Sequence, residues 1–137
     1  MELRKAETMD WVRIFNAMCH KDEIPFCTPT QVFRDFQAGR EYIVVEEGKI
    51  LATVSLVEEP EYGYTAIKRL CIFNKKNQGK GIARFALHEI QRMVKGRIGA
   101  TPWDDNPKMC HLLESEGFHL EYKFMEKWCF YVKEIEG

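Results

Sequence analysis

Apolar residues recur along the chain with two different periods. From Thr8, residues Trp11, Ile14, Phe15 and Met18 fall at i, i+3, i+4 and i+7, the spacing of one face of an α-helix. A second helix is punctuated by Thr28 as N-cap, Pro29 in the first turn and Gln31 three residues after the cap, a capping box. Val32, Phe33 and Phe36 form its apolar stripe, and Gly39 ends it. The pattern then turns β-branched in Tyr42 to Val45 and in Ile50 to Val57, with Glu47-Gly48-Lys49 as a hairpin turn between them. Pro60 and Gly63 precede a further strand, Tyr64 to Phe73. Helical spacing returns with Ile82, Phe85, Ala86, Ile90, Met93 and Val94, and stops at Gly96. A short strand, Arg97 to Thr101, leads to a helix from Asn106 to Glu116, closed by Gly117. Phe118 to Phe124 and Trp128 to Lys133 read as strands, as does Leu3 to Glu7 at the start.

The predicted order is β-α-α-β-β-β-α-β-α-β-β. Without strict βαβ alternation, this is an α/β chain of the α+β type, with a mixed sheet and helices on both faces. At 137 residues it fits a single domain, 1–137, and no repeat or linker divides it. A 45% apolar and 12% aromatic content excludes wholesale disorder. No apolar run approaches the ~20 residues of a membrane span, and Met1 to Lys5 carries no signal-peptide core. The expectation is a cytoplasmic protein with no membrane partner.

The formal charge of −1 conceals a division. Glu41, Glu46, Glu47, Glu58, Glu59 and Glu61 stand against Lys49 alone, a segment of −5. The next, Tyr62 to His88, holds Lys68, Arg69, Lys75, Lys76, Lys80 and Arg84 with no acid, a segment of +6. Near-neutral total charge argues against a nucleic-acid partner. The adjoining runs instead point to a bound anion beside a surface that prefers cations. The five cysteines are odd in number and lack a C-x-x-C, and the histidines lack metal-ligand spacing. Reduced thiols and no metal are expected.

One segment carries chemistry. Leu70 to Phe73 closes a strand, Asn74 to Gly81 is a turn with two glycines, and an amphipathic helix follows. Glycine permits positive φ and close backbone approach, and the first amides of a helix form a natural phosphate site. A nucleotide P-loop and a dinucleotide G-x-G-x-x-G are both absent. Gln78, Gly81 and Ala83 instead fill an R/Q-x-x-G-x-G/A pattern. Further on, Asn106 to Phe118 is similar to N-x-x-A-x-x-L-Y-x-x-x-G-F. With these two motifs and its element order, the chain resembles the GNAT (GCN5-related N-acetyltransferase) superfamily over nearly its whole length.

The resemblance implies an enzyme that uses acetyl-CoA as co-substrate and an amine as acceptor. It implies that Gln78, Gly79, Lys80, Gly81, Ile82 and Ala83 bind the pyrophosphate through backbone amides. The pantetheine arm would pair with Leu70, Cys71 and Ile72, and Asn106 would meet it from the last helix. The usual acid of the family is a Tyr at the position of Leu113. Asn106, Cys110 and Leu113 lie at i, i+4 and i+7, which makes Cys110 a substitute donor or a small core filler. The fourth strand, where the family often carries a Glu, offers Lys68 and Arg69 here; Glu58 and Glu59 are the nearest acids, and they are either the base, with Glu58 the candidate, or solvated residues beside the turn at Pro60. Trp103, Tyr62 and Tyr64 either wall the acceptor pocket or pack in the core. A non-catalytic acyl-CoA-binding module is the alternative. A homodimer is compatible with the sequence but not indicated by it.

Overall fold

The computed structural model describes residues 1–19, 28–73, 81–102 and 106–136. Its strands are β1 (Glu2–Lys5), β2 (Glu41–Glu46), β3 (Lys49–Glu59), β4 (Tyr64–Ile72), β5 (Gly96–Ala100), β6 (His119–Phe124) and β7 (Trp128–Ile135). The helices are α1 (Trp11–Cys19), α2 (Pro29–Gln37), α3 (Ile82–Met93) and α4 (Pro107–Ser115). Every predicted element is present in the predicted order. The strands form one seven-stranded mixed sheet in the order β1-β2-β3-β4-β5-β7-β6. β4 and β5 run parallel, with Thr65 to Ile67 aligned on Ile98 to Ala100. None of the described helices is long and apolar enough to cross a membrane.

The start of the chain departs from its predicted bounds. β1 stops at Lys5 and a 3₁₀ turn, Thr8–Asp10, precedes α1. Asp10 fixes this turn: its carboxylate accepts from the Glu7 amide at 2.7 Å and from the Arg4 guanidinium at 2.8 Å. Arg4 holds the carboxyl of Asp10 below its ordinary range.

Contacts divide the chain into two compact units, Met1–Leu56 with Arg69–Ala86, and Val57–Lys68 with Leu87–Gly137. In the first unit, alternate residues of the strands serve opposite faces. Ile43, Cys71 and Phe73 pack with Ile14 of α1 and Val32 of α2. Val44, Ala52, Leu70 and Ile72 pack with Ile82 and Ala86 of α3. Helices therefore cover both faces of this part of the sheet. The Trp11 ring lies 4.8 Å from Phe33 and 5.5 Å from Phe36, which joins α1 to α2. The predicted capping box of α2 is formed, with the Gln31 amide donating to Thr28 Oγ1 at 3.3 Å and the Thr28 amide donating to Gln31 Oε1 at 3.2 Å.

In the second unit, β7 lies between β5 and the end strand β6. Rings of Tyr64, Tyr122 and Phe130 meet on one face, with centroids 5.3 Å and 5.1 Å from Phe130. Gly99 lies beneath them. A Cβ at that position would stand 2.7 Å from the Phe130 ring and 2.9 Å from Tyr64, so only glycine allows this packing. All six residues of β6 are exposed, and its pairing with β7 shifts register between Leu120 and Tyr122.

Candidate active site

The sequence-predicted site residues fall on the end of β3, the end of β4, the start of α3 and on α4. Leu70, Cys71 and Ile72 form the last turn-free residues of β4. Leu70 and Ile72 point to the α3 side, while Cys71 is buried on the α1–α2 side. Gly81 has φ +78, and among the described residues a Cβ built there would meet nothing within 4 Å. Conformation rather than crowding by the described residues calls for glycine there. At the head of α3 the Phe85 amide donates to the Gly81 carbonyl at 2.9 Å. The first amides of an α-helix have no intrahelical acceptor, and Ile82 and Ala83 open α3. Together with the neighbouring strand end, this geometry fits a phosphorylated ligand with an extended arm. Gln78, Gly79 and Lys80 lie outside the described residues, as does Trp103.

Beside Cys71, on the same face, the first unit holds a buried polar network that the sequence reading missed. Glu41 is 1% exposed, and Thr53 and Ser55, both fully buried, hydrogen-bond its carboxylate. Ser55 Oγ donates to Glu41 Oε1 at 2.5 Å and accepts from the Arg69 guanidinium at 3.3 Å. Arg69 forms an ion pair with Asp35 of α2, which also binds Arg40 at 2.9 Å. Burial pushes the Glu41 carboxyl up to about 7; the Ser55 and Thr53 hydroxyls oppose this rise and nearby Cys71 adds to it. A hint was available in the sequence: Thr53 and Ser55 occupy alternate positions of an otherwise apolar strand.

Arg69 stands out for its backbone as well. It has φ +52 inside β4, a left-handed conformation that costs a residue with a Cβ roughly 1 kcal/mol. The side chain that this backbone carries is anchored by the ion pair with Asp35 and the hydrogen bond to Ser55.

In the second unit, Asn106 is exposed and caps α4, its side-chain oxygen accepting from the Met109 amide at 3.4 Å. Cys110 is half-buried on α4, and Leu113 is 0% exposed. Burial pushes the Cys110 thiol up, and its hydrogen-bonding contact with Tyr131 works against that rise. Tyr131, buried on β7, donates to Glu114 Oε1 at 2.7 Å. Cys110 thus remains a thiol at neutral pH, in the protonated form that a donor requires. His111 is exposed. Glu58 is exposed at the end of β3, next to Glu59, whose carboxylate meets Lys68 at 3.4 Å. Tyr64 packs against Phe130, and Tyr62 is exposed. Among the described residues, no group of three or more His, Cys, Asp or Glu could hold a metal ion.

Residues 6–118 match the model of the acetyltransferase (GNAT) family. The chain belongs to the GNAT family. Curated proteins offer no match by sequence. Solved GNAT folds do match closely in shape. A GNAT-family acetyltransferase from Streptococcus agalactiae superposes with a TM-score of 0.82 at 17% identity, covering 99% of this chain and 96% of that one. The ribosomal-protein-S18-alanine N-acetyltransferase from Escherichia coli gives 0.77 at 14% identity, covering 99% and 94%. The spermidine N-acetyltransferase from Vibrio cholerae, solved with CoA and spermine, gives 0.74 at 19% identity, covering 98% and 95%. These identities establish a shared GNAT fold.

Proposed function

We propose that this chain is an N-acetyltransferase that moves an acetyl group from acetyl-CoA to a primary amine of a small molecule or peptide. The family match over residues 6–118 carries this reading. The positive φ of Gly81 at the head of α3, and the packing of Leu70 and Ile72 of β4 against Ile82, support it. Bound acetyl-CoA supplies an activated acetyl group: the acceptor nitrogen forms the C–N bond, the C–S bond breaks, and its electron pair leaves on sulfur.

The chain's own residues have four tasks. Backbone amides from Gln78 to Ala83 hold the pyrophosphate at the positive end of the α3 dipole. Leu70 to Ile72 align the pantetheine arm as an added strand, and their backbone N–H groups polarise the thioester carbonyl. Asn106 meets the same arm from the head of α4. Cys110 gives its thiol proton to the departing thiolate and recovers one from solvent. Glu58 is the proposed acceptor of the amine proton. It is exposed and so exchanges that proton directly with water.

Titration calorimetry with acetyl-CoA tests binding, and absence of heat at millimolar ligand would refute the proposal. Release of free thiol across a panel of primary amines tests transfer. Binding without any thiol release would assign the chain to acyl-CoA sensing instead.

A further inference from the structure

We propose that Arg69 is a positioning residue for this transfer: clamped by Asp35 and Ser55, it holds β4 in the left-handed turn that presents Leu70 to Ile72 to the thioester arm. The inference rests on the acetyl-CoA reading above and adds to it the device that shapes the binding strand.

Three observations meet at this residue. It has φ +52 in the interior of a strand, where glycine would sit without penalty and arginine does not. Its side chain is only 17% exposed and is bound from two different elements, by Asp35 of α2 and by Ser55 of β3. The residues that follow it at once are Leu70, Cys71 and Ile72, so any change in its backbone angle re-aims their amides.

The clamp does more than neutralise Asp35. Arg40 already pairs with Asp35 Oδ1 at 2.9 Å, on the oxygen opposite to the one that Arg69 meets. A second guanidinium, that of Arg69, takes the other oxygen of the same buried carboxylate. Its added effect is geometric, since a planar fork fixed at its tip fixes the direction of the chain at its root. Glu41 supports the arrangement from behind by fixing the Ser55 hydroxyl, which leaves the Ser55 lone pair facing Arg69. α2, β2, β3 and β4 therefore converge on one backbone angle. Backbone strain kept by surrounding structure at one point of a strand is characteristic of a functional position.

The test compares Arg69→Gly with Arg69→Val in the full chain, reading acetyl-CoA affinity by calorimetry and folding by thermal melts. Glycine accepts φ +52 without the clamp, whereas valine does not. Arg69→Val is expected to weaken acetyl-CoA binding by roughly tenfold or more, and Arg69→Gly to stay within about threefold of wild type. Unchanged affinity in Arg69→Val, or equal losses in both variants, overturns the inference. Asp35→Asn supplies a second reading should Arg69→Val fail to fold. It is expected to weaken binding in the wild-type background and to have no further effect beside Arg69→Gly. An equal effect in both backgrounds overturns the inference. A wild-type chain that binds no acetyl-CoA refutes the transferase reading itself. Wild-type binding with insensitive variants refutes only the role of Arg69.

Discussion

Glu41 shows how one buried side chain makes stability depend on pH. Its carboxyl titrates at about 7 in the folded chain, well above its ordinary value, chiefly because burial disfavours the ion. The folded state therefore binds the proton more tightly than the unfolded state. Stability from the neutral carboxyl is complete below the ordinary carboxylate range and is lost as pH rises through about 7. The groups facing it are Thr53 and Ser55 from β3 and Cys71 from β4; Asp35, Arg40 and Arg69 lie behind Ser55. Urea melts from pH 5 to 8 are expected to show wild type losing up to about 3 kcal/mol that Glu41→Gln does not lose. Parallel curves for the two proteins would refute this account.

Helix caps are local in sequence, whereas strand packing joins residues far apart in it. Thr28 and Gln31 form the predicted box because capping involves residues three apart, which a sequence displays directly. Asn106 was expected to meet a ligand, and the structure gives its side chain a cap to make as well. The two roles separate by substitution. Asn106→Ser keeps a capping oxygen, so stability is expected to hold, whereas Asn106→Ala costs about 1 kcal/mol in a denaturant melt. A loss of acetyl-CoA affinity in both variants would assign the ligand role to the amide. Gly99 illustrates what local reading misses. Its neighbours Tyr64 and Phe130 are distant in sequence and converge only once β4, β5 and β7 pair. Gly99→Ala is expected to destabilise by roughly 1–3 kcal/mol, seen as an earlier urea midpoint. A wild-type midpoint would show that the rings give way freely. The Glu41 network was hidden for the same reason. Its members are scattered from Asp35 to Arg69, and strand register alone brings Glu41 opposite Ser55.

Across the whole molecule, charge counted along the chain and charge placed in space differ. The acidic run from Glu41 to Glu61 is not one surface: Glu41 is buried, Glu46 and Glu47 are exposed where β2 turns into β3, and Glu58 and Glu61 flank the turn into β4. The basic run likewise gives Arg69 to an internal clamp and Lys68 to Glu59, which lowers the charge that it can offer a phosphorylated ligand. Fold and family were legible because periodicity and two spaced motifs survive in a linear reading. The polarity of the surface was not, since it depends on which side chains the sheet takes inside. The register shift in β6 has a separate consequence, for self-recognition. Leu120, Tyr122 and Phe124 stand exposed on an end strand, a composition that favours stacking of chain on chain. The shift interrupts the even rhythm of amides and carbonyls, and the charged Glu121 and Lys123 sit among the apolar residues. An incoming strand finds no straight ladder to extend, and the open edge makes a poor seed for fibres.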